Sequence, residues 1–177
     1  DFIIIGSGIA GLYTALLAKE AGSVLILTKG SLDECNTKYA QGGIAAPIGH
    51  GDSAELHFKD TMAAGAGLCD PEAVRILTEE ASDRITDLID LGVPFDTQFG
   101  EVALTREAAH SLPRILHAGG DATGERIEVT LSRAVHDSKN ITIMEHSLAT
   151  DIIVRDGIAK GVTAFDSRIG SLENYIS

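Results

Sequence analysis

The hydrophobic pattern at the start of the chain predicts a strand, a helix and a second strand. The apolar run at residues 2–5 ends at Gly6 and is typical of a strand buried on both faces of a parallel sheet. Residues 9–21 carry apolar side chains at helical spacing, and Gly22 is a natural stop for this helix. The apolar run at residues 24–28 predicts the second strand, so the three elements form a strand–helix–strand unit.

The middle of the chain combines a long loop with helices. Residues 29–52 are rich in glycine, and a loop of that length inside a domain is usually functional. Ser53 is a residue type that caps helix N-termini, and Asp70 followed by Pro71 is a helix start of the same kind. The apolar face of the helix after Pro71 consists of Val74, Leu77, Ala81, Ile85 and Leu88. We predict helices at about residues 53–64, 70–91 and 123–135.

The last part of the chain changes to the pattern of strands. Asp156-Gly157 lies between two apolar runs and is a strong signal for a two-residue hairpin turn. We predict strands at residues 141–144, 149–154, 158–165 and 172–176. The fold class is therefore α/β, a Rossmann-like domain with a β-meander, and residues 1–177 are assigned to one domain.

Composition supports a globular domain and disfavours several classes of partner. Apolar residues make up 44% of the 177 residues and charged residues 23%. The formal charge of −12 disfavours nucleic acid and anionic membranes, because like charges repel. Residues 2–18 carry no charge, but glycines interrupt this run and it is short for a membrane span. Cys35 and Cys69 have no metal-site spacing and are interpreted as reduced cytosolic thiols.

A glycine motif lies between the first strand and the first helix. It reads Gly6-Ser7-Gly8-Ile9-Ala10-Gly11, a GxGxxG pattern in the context that dinucleotide binding requires. Gly6 permits a tight turn, Gly8 lets the backbone approach a pyrophosphate, and Gly11 lets the helix pack close to the strand. The helix N-terminus favours an anion through its free N–H groups and its dipole. A purely structural turn is the alternative interpretation.

The residue after the second strand counts against an ordinary NAD site. NAD-binding folds place Asp or Glu near the end of that strand, where the carboxylate accepts a hydrogen bond from the ribose. This chain has Thr28-Lys29-Gly30 there, and a lysine side chain cannot accept.

The segment at residues 36–45 is a candidate ring-binding loop. Gly42-Gly43 allows the backbone to approach a flat ring closely, while Thr37 and Gln41 offer hydrogen-bond donors and acceptors. A flexible surface loop is the alternative.

A second candidate segment, residues 104–124, concentrates charge and histidine. It contains Arg106, Glu107, His110, Arg114 and His117. Such a cluster is able to bind a charged substrate and to tune protons, with a solvated charged face as the alternative. The spacing of its histidines matches no common metal pattern, so we predict no metal site.

Four motifs, in this order, resemble the succinate dehydrogenase and fumarate reductase flavoprotein superfamily. They are GSGIAGL at residues 6–12, LTKG at 27–30, AQGGIAA at 40–46, and LTREAAHS with RILHAGGDATG within 104–124. Within the superfamily the chain is most similar to the L-aspartate oxidases, and it resembles their amino-terminal part. The resemblance implies a glutathione-reductase-like FAD-binding domain that stops before the later strands and the capping domain.

The resemblance also implies which residues contact FAD and substrate. The first glycine loop and the lysine hold the pyrophosphate and ribose, the AQGG loop lines the flavin, and Ala149 gives backbone contacts to adenine. Glu107 orients the substrate, and His110 is a second candidate for the active site. The implied cofactor-binding residues are Gly6, Ser7, Gly8, Ile9, Ala10, Gly11, Lys29, Asn36, Thr37, Lys38, Tyr39, Ala40, Gln41, Gly42, Gly43 and Ala149.

Three features set the chain apart within the superfamily. The respiratory members carry a histidine, covalently bonded to the flavin, at the position of Asn36, so we expect non-covalent FAD here. The family commonly has two glycines where this chain has Ala108-Ala109. The catalytic arginine and the remaining substrate ligands are expected beyond Ser177.

The implied function is FAD-dependent oxidation of L-aspartate to iminoaspartate in de novo NAD biosynthesis, with oxygen or fumarate as electron acceptor. We expect a cytoplasmic enzyme whose partners are this dicarboxylate substrate and, through transfer of the product, quinolinate synthase. A soluble fumarate reductase or succinate dehydrogenase-type flavoprotein is one alternative. A non-catalytic nucleotide-binding fragment is the other for the isolated chain, which we expect to be inactive alone.

Overall fold

The computed structural model describes all residues from Asp1 to Ser177. The chain divides into two compact units. The first unit consists of Asp1–Tyr39 and Ile127–Ser177, and the second unit consists of Ala40–Arg126.

Eleven strands and four α-helices make up the two units. The strands are β1 (Phe2–Ile5), β2 (Val24–Leu27), β3 (Ile44–Ala45), β4 (Thr97–Gln98), β5 (Glu101–Val102), β6 (Leu104–Thr105), β7 (Ile115–Leu116), β8 (Ile141–Met144), β9 (Ser147–Arg155), β10 (Ile158–Asp166) and β11 (Ser171–Ile176). The helices are α1 (Ile9–Ala18), α2 (Ala54–Ala64), α3 (Pro71–Asp90) and α4 (Thr123–His136), and Gly120–Ala122 forms a 3₁₀ turn. None of the four helices combines the length and apolar character that crossing a membrane requires.

A three-stranded parallel sheet organises the first unit, in the order β1-β2-β8. Central β2 is almost fully buried, as expected for a parallel strand. The prediction that β1 is buried on both faces is wrong, because β1 lies at the sheet edge and Ile5 is 53% exposed. Helix α1 ends at Ala18, before the predicted end at residue 21, and residues 19–22 form the turn into β2.

A β-meander of β9, β10 and β11 completes the first unit. The predicted hairpin is confirmed, since Asp156 and Gly157 join β9 to β10 with φ angles of 52° and 74°. Two positive φ angles match the twist of the flanking strands, which explains the preference for this dipeptide. Val162 and Ala164 of β10 form a buried cluster with Leu27 of β2.

The second unit contains two helices and short strands. Ser53 caps α2 by accepting from the Leu56 amide, and Asp70 caps α3 by accepting from the amides of Glu72 and Ala73, so both predicted helix starts are confirmed. Strands β3, β7 and β6 pair antiparallel, and β4 pairs with β5. The prediction that residues 29–52 form only a loop is wrong at β3, which exists through its pairing with β7.

The buried face of α3 differs from the predicted one at two positions, since Ala81 is only half-buried and Leu77 lies outside. Val74, Ile85 and Leu88 are buried as predicted, but Leu77 is 57% exposed. Thr78 is buried in its place, and its hydroxyl donates to the Val74 carbonyl at 3.0 Å. The internal bond satisfies the polar group, which allows threonine to lie inside.

Candidate functional site

The first unit contains a cavity of about 470 Å³ at the carboxyl ends of β1 and β2. In open α/β sheets, ligands bind outside the carboxyl ends of the strands. Its lining combines the glycine motif, the residues after β2, the loop before residue 40 and the start of β9. The lining residues are Ile5, Gly6, Ser7, Gly8, Leu27, Thr28, Lys29, Glu34, Cys35, Asn36, Thr37, Tyr39, Ser147, Leu148 and Ala149.

The glycine motif has the geometry that its spacing predicts. Gly6 has a φ of 100°, a conformation that side chains disfavour. A Cβ on Gly11 would collide with the carbonyl oxygen of Gly6, so α1 packs against the end of β1 only because this residue is glycine. A Cβ on Gly8 would lie 3.2 Å from the Thr37 hydroxyl. Gly6 and Gly8 therefore leave backbone, not side chains, at their part of the cavity wall.

The start of α1 is suited to an anion. Its N-cap is Gly8, which has no side chain to bond the first amides, and its first turn contains no acidic residue. The Ile9 amide donates to the Thr37 hydroxyl at 3.0 Å, and the remaining free N–H groups of the first turn and the helix dipole favour negative charge at this end. Lys29 also lines the cavity and adds a positive charge. The cavity therefore suits a phosphorylated ligand, which is the chemistry predicted for the glycine motif.

Hydrogen bonds of Thr28, the residue after β2, fix the part of the cavity wall next to the glycine motif. Ser7 and Thr28 share a buried hydrogen bond of 3.0 Å between their hydroxyls. The Ser147 amide donates to the Thr28 carbonyl at 2.8 Å, which joins the start of β9 to the end of β2. Sequence reasoning missed Thr28 and Ser147, because their roles depend on tertiary hydrogen bonds.

Ala149 lies at an irregularity in β9. Asp151 pairs with Thr163 and Ala149 pairs with Ala164, so Thr150 has no partner residue in the register. Such a bulge bends a strand and redirects its neighbours. Ala149 lines the cavity, and the sequence predicts adenine contacts for this residue.

The loop before residue 40 is fixed by an ion pair and a hydrogen bond. Lys38 donates to Asp33 at 2.6 Å, and this contact raises the pKa of Lys38 and lowers that of Asp33. The Tyr39 hydroxyl donates to Glu34 at 2.9 Å. Lys38 is therefore engaged with Asp33 and is absent from the cavity lining, unlike the predicted cofactor residues on either side of it.

Cys35 and Glu128 form a partly buried pair beside this loop. Glu128 is fully buried, its Oε1 accepts from Ser132 at 3.2 Å, and its Oε2 has no hydrogen-bond partner. Burial raises the pKa of the Glu128 carboxyl. Burial likewise raises the pKa of the Cys35 thiol, and the charge of Glu128 acts in the same direction. Cys35 is thus a protonated thiol at the cavity wall, a feature that no sequence motif indicated.

The AQGG segment belongs to the second unit, where Gly43 precedes β3. A Cβ on Gly43 would collide with Ile115 and the Leu116 carbonyl oxygen and would lie 3.1 Å from the His117 ring. Glycine is therefore required at this position for packing against β7. Gly42 has a φ of 83°, which also favours glycine. Ala40 accepts a hydrogen bond from the Gly124 amide at 3.3 Å.

Glu107 and His117 approach each other in the second unit. The distance from His117 Nε2 to Glu107 Oε1 is 3.6 Å, and the same Nε2 lies 3.1 Å from the Thr105 hydroxyl. The side chain of Glu107 is 54% exposed, whereas that of His117 is 18% exposed. Glu107, the predicted substrate-orienting residue, is thus accessible to a ligand, and its carboxylate lies close to the His117 ring.

Arg114 is not available to a substrate, contrary to its inclusion in the predicted substrate-binding cluster. The side chain is fully buried and bonds Asp52 through Nε and Nη2, both at 2.8 Å. Its Nη1 donates to Asp60 at 2.9 Å, and Asp60 also accepts from the amide and hydroxyl of Ser111. These hydrogen bonds lower the pKa of Asp60. Arg114 therefore organises the loop that follows His110.

His110 lies beside His57, with ring centroids 5.8 Å apart. Burial lowers the pKa of His57, and the charge of Arg114 lowers it further. The Nδ1 atoms of both rings are buried and have no hydrogen-bond partner within the protein. Burial and Arg114 thus favour the neutral form of His57. The protein contains no group of three or more His, Cys, Asp or Glu side chains that could hold a metal ion.

The fold and the cavity define a dinucleotide-binding flavoprotein domain. The family model described as "FAD binding domain" matches residues 1–176, and the chain belongs to this family. The expectations of FAD as cofactor and of a Rossmann-like FAD-binding fold are confirmed.

The particular similarity is to the L-aspartate oxidases. The chain is 46% identical to the L-aspartate oxidase of Streptomyces coelicolor over 92% of its length. It is 42% identical to the chloroplastic L-aspartate oxidase of Arabidopsis thaliana over 100% of its length. The chain spans 28% of the length of each of these relatives. The predicted resemblance to this group is confirmed.

A solved structure has the same fold. The quinol fumarate reductase FrdA of E. coli superposes with a TM-score of 0.93 at 29% identity. The match covers 99% of this chain and 31% of the FrdA chain. The wider resemblance to the fumarate reductase superfamily is thus present in the fold as well as in the motifs.

Proposed function

We propose that this chain is the FAD-binding part of an enzyme that oxidises L-aspartate to iminoaspartate, with oxygen or fumarate as electron acceptor. The observation that carries the proposal is its 46% identity to an L-aspartate oxidase over 92% of the chain. The product would enter de novo NAD biosynthesis by transfer to quinolinate synthase, in the cytoplasm.

The cavity of the first unit fits the cofactor. Its wall is backbone at Gly6 and Gly8, where side chains would obstruct a pyrophosphate, and the start of α1 lies at the same wall. Lys29 would contact phosphate or ribose, and the Ala149 backbone would contact adenine. When bound, FAD supplies an acceptor for the hydride that leaves the substrate Cα.

We assign the cofactor contacts of the second unit to the AQGG segment. The residues Ala40, Gln41, Gly42 and Gly43 are proposed to line the flavin ring. The positive φ of Gly42 and the close packing of Gly43 explain why glycine is needed at both positions.

We assign substrate orientation to Glu107. An exposed carboxylate attracts the ammonium of an amino acid, and succinate lacks that group. His110 remains a candidate for the active site, since the buried Nδ1 of its ring has no partner. Glu107→Gln is expected to raise the KM for aspartate more than the inhibition constant of succinate, because only aspartate carries the ammonium.

FAD is expected to be non-covalent. Asn36 lines the cavity at the position where the respiratory members of the superfamily carry the histidine that bonds the flavin. An amide side chain cannot form that link. The purified full-length protein should be yellow, and acid precipitation should release all of the colour. Colour that stays with the denatured protein would contradict the assignment of Asn36.

A soluble fumarate reductase or succinate dehydrogenase-type flavoprotein is the second candidate, favoured by the TM-score of 0.93 to FrdA. The two functions separate in one experiment on the full-length protein. Hydrogen peroxide release that depends on aspartate would support the oxidase. Reduction of fumarate by a reduced dye, without oxidation of aspartate, would support the reductase.

The isolated 177-residue chain has its own test. Flavin binding by this chain without turnover would fit a cofactor-binding fragment.

A further inference from the structure

The short sheet of the second unit brings together residues that are far apart in the sequence. Leu116 pairs with Ile44 on one side and with Leu104 on the other. His117 follows Leu116 directly, so its ring lies next to Gly43 at one edge and reaches Thr105 at the other. The His117 side chain is therefore fixed between the AQGG segment and the segment that carries Glu107.

The ring of His117 is oriented by a hydroxyl. Thr105 pairs with Ile115, which makes Thr105 and His117 diagonal neighbours across β6 and β7. Diagonal neighbours on one sheet face are within reach of long side chains. The 3.1 Å contact between Thr105 Oγ1 and His117 Nε2 directs this nitrogen toward the side of the sheet on which Glu107 lies.

The chemistry of the pair assigns the proton. A carboxylate only accepts hydrogen bonds, so His117 Nε2 must carry a proton to stabilise Glu107 at 3.6 Å. The Thr105 hydroxyl then accepts from the same N–H group or faces it with a lone pair. The Glu107 carboxylate is therefore stabilised by the form of His117 in which Nε2 carries a proton, and the Thr105 hydroxyl is compatible with that form because it is able to accept.

The other carboxylate near His117 is already engaged. Asp96 accepts from the amides of Gly119 at 2.9 Å and Gly120 at 3.2 Å, and these bonds lower its pKa. The Asp96 amide donates to the carbonyl oxygen of His117 at 2.7 Å, which fixes the His117 backbone. Asp96 therefore fixes the backbone of His117, whereas the His117 ring approaches Glu107.

Glu107 needs such support because its side chain is 54% exposed. A free glutamate on a surface samples several rotamers, and ordering it on binding costs conformational entropy. A carboxylate that is already oriented binds an ammonium without that cost.

We propose that Thr105 and His117 are positioning residues that hold the Glu107 carboxylate for recognition of the substrate ammonium. This inference rests on the proposed function and adds a substrate-specificity device to it. Neither positioning residue needs to touch the substrate. The device acts on amino-dicarboxylates and leaves dicarboxylates without an amine unaffected.

The test uses the flavin-loaded full-length enzyme and two pairs of variants. Thr105→Val removes the hydroxyl with little change of shape, and Thr105→Ser retains it. His117→Ala removes the ring, and His117→Gln retains an N–H donor near the position of Nε2. His136→Ala is the control for histidine loss, because the His136 side chain is 80% exposed.

Thr105→Val and His117→Ala are expected to raise the KM for aspartate by about tenfold, with a smaller change in kcat. The inhibition constant of succinate should change by less than about twofold, because succinate has no ammonium. Thr105→Ser and His117→Gln should recover most of the affinity. In a Glu107→Gln background, Thr105→Val should have no further effect, since it acts through Glu107.

Two outcomes would overturn the inference. One is an unchanged KM for aspartate in Thr105→Val and His117→Ala. The other is an equal loss of succinate and aspartate affinity, which would indicate a general structural role. If His117→Ala fails to fold, the KM values of Thr105→Val alone still test the inference. A wild-type enzyme that does not oxidise aspartate would overturn the proposed function and this inference together, whereas an active enzyme with unaffected variants would overturn only the inference.

Discussion

The hydroxyl of Thr37 accepts a hydrogen bond of 3.0 Å from the backbone amide of Ile9, the first residue of α1. The helix is thereby capped by a side chain from the loop after β2, in place of its own N-cap residue, Gly8. Glycine leaves room for the ligand and the remote threonine supplies the missing cap. This arrangement couples the loop at the cavity wall to the helix end that is proposed to face the pyrophosphate.

Removal of this cap should weaken both folding and cofactor binding. We expect Thr37→Val to lower the free energy of unfolding by about 1 kcal/mol, the usual cost of losing a cap. FAD affinity should fall as well, because the loop and the helix start line the same cavity. Thr37→Ser retains the hydroxyl and is the control. Denaturant unfolding and flavin titration measure the two effects, and equal behaviour of the two variants would refute the capping role.

Gly11 is the position in the glycine motif that is least tolerant of a methyl group. Gly11→Ala would place Cβ against the Gly6 carbonyl oxygen, which is backbone and cannot move freely. We expect a loss of about 1–3 kcal/mol in the free energy of unfolding and loss of bound flavin. Gly30→Ala is the matched control, because its Cβ would lie 3.6 Å from Glu34, an ordinary contact. A flavin content that is equal in both variants would contradict the packing argument.

The alkylation rate of Cys35 is expected to show whether FAD occupies the cavity. It lines the cavity in the first unit, whereas Cys69 lies in the second unit and is absent from the lining. FAD should protect Cys35 from alkylation and leave Cys69 unaffected. Mass spectrometry of protein alkylated with and without FAD gives both rates in one sample. Protection of neither cysteine, in protein with bound flavin, would mean that the cofactor lies elsewhere.

Glu128 should make stability depend on pH. Its pKa in the folded protein is raised above the ordinary value of 4.5, so the folded state holds this proton more tightly than the unfolded state does. The resulting stability is fully present below about pH 4.5 and is lost as the pH rises through the folded pKa. Above that pKa the protein carries a buried charge whose Oε2 has no partner.

Glu128→Gln should therefore stabilise the protein relative to wild type more at pH 8 than at pH 5. A buried unpaired polar group costs about 1–3 kcal/mol, which sets the expected size of the difference. Glu20→Gln, at an exposed position, is the control and should show no such trend. Denaturant unfolding at the two pH values measures the effect, and an identical shift at both would show that Glu128 titrates normally.

Ala109 occupies a backbone conformation that favours glycine. Its φ angle is 71°, in the left-handed region that residues with a Cβ disfavour. The left-handed region costs a residue with a Cβ roughly 1–2 kcal/mol, so Ala109→Gly should raise the free energy of unfolding by about 1 kcal/mol. Ala108→Gly is the control and should lower it, because Ala108 has no positive φ angle. Thermal unfolding of both variants tests the opposite signs.

Elements with a local signal could be predicted from the sequence, and elements made by distant pairing could not. The Ser53 and Asp70 caps and the Asp156-Gly157 turn are decided within a few residues, and each lies where predicted. Strands β3 and β7 have two residues each and no periodicity of their own, so only their mutual pairing defines them. The β4–β5 turn was also missed, because Phe99-Gly100 is an unusual pair for two positive φ angles.

The residues of the candidate site also fall into two groups, those that a motif indicated and those that only tertiary contacts define. Gly6, Ser7 and Gly8 of the glycine motif, together with Lys29 and Ala149, were identified from motifs or from the resemblance, and they lie around one cavity. Thr28, Cys35 and Ser147 were missed, because their contribution comes from hydrogen bonds and burial that no short pattern encodes. Arg114 was predicted as part of a substrate-binding cluster, but Asp52 and Asp60 are distant in sequence and hold it inside the protein.

The strand order of the parallel sheet has a consequence for synthesis on the ribosome. Val24 of β2 pairs with Ile141 of β8, so the third strand is made long after the first two. At about 5–20 residues per second, the delay is on the order of ten seconds. During that interval one edge of β2 has no strand beside it, and such an edge recruits strands from other chains. A nascent polypeptide stalled within that interval should therefore associate with chaperones or aggregate, and one released after β8 has emerged should not.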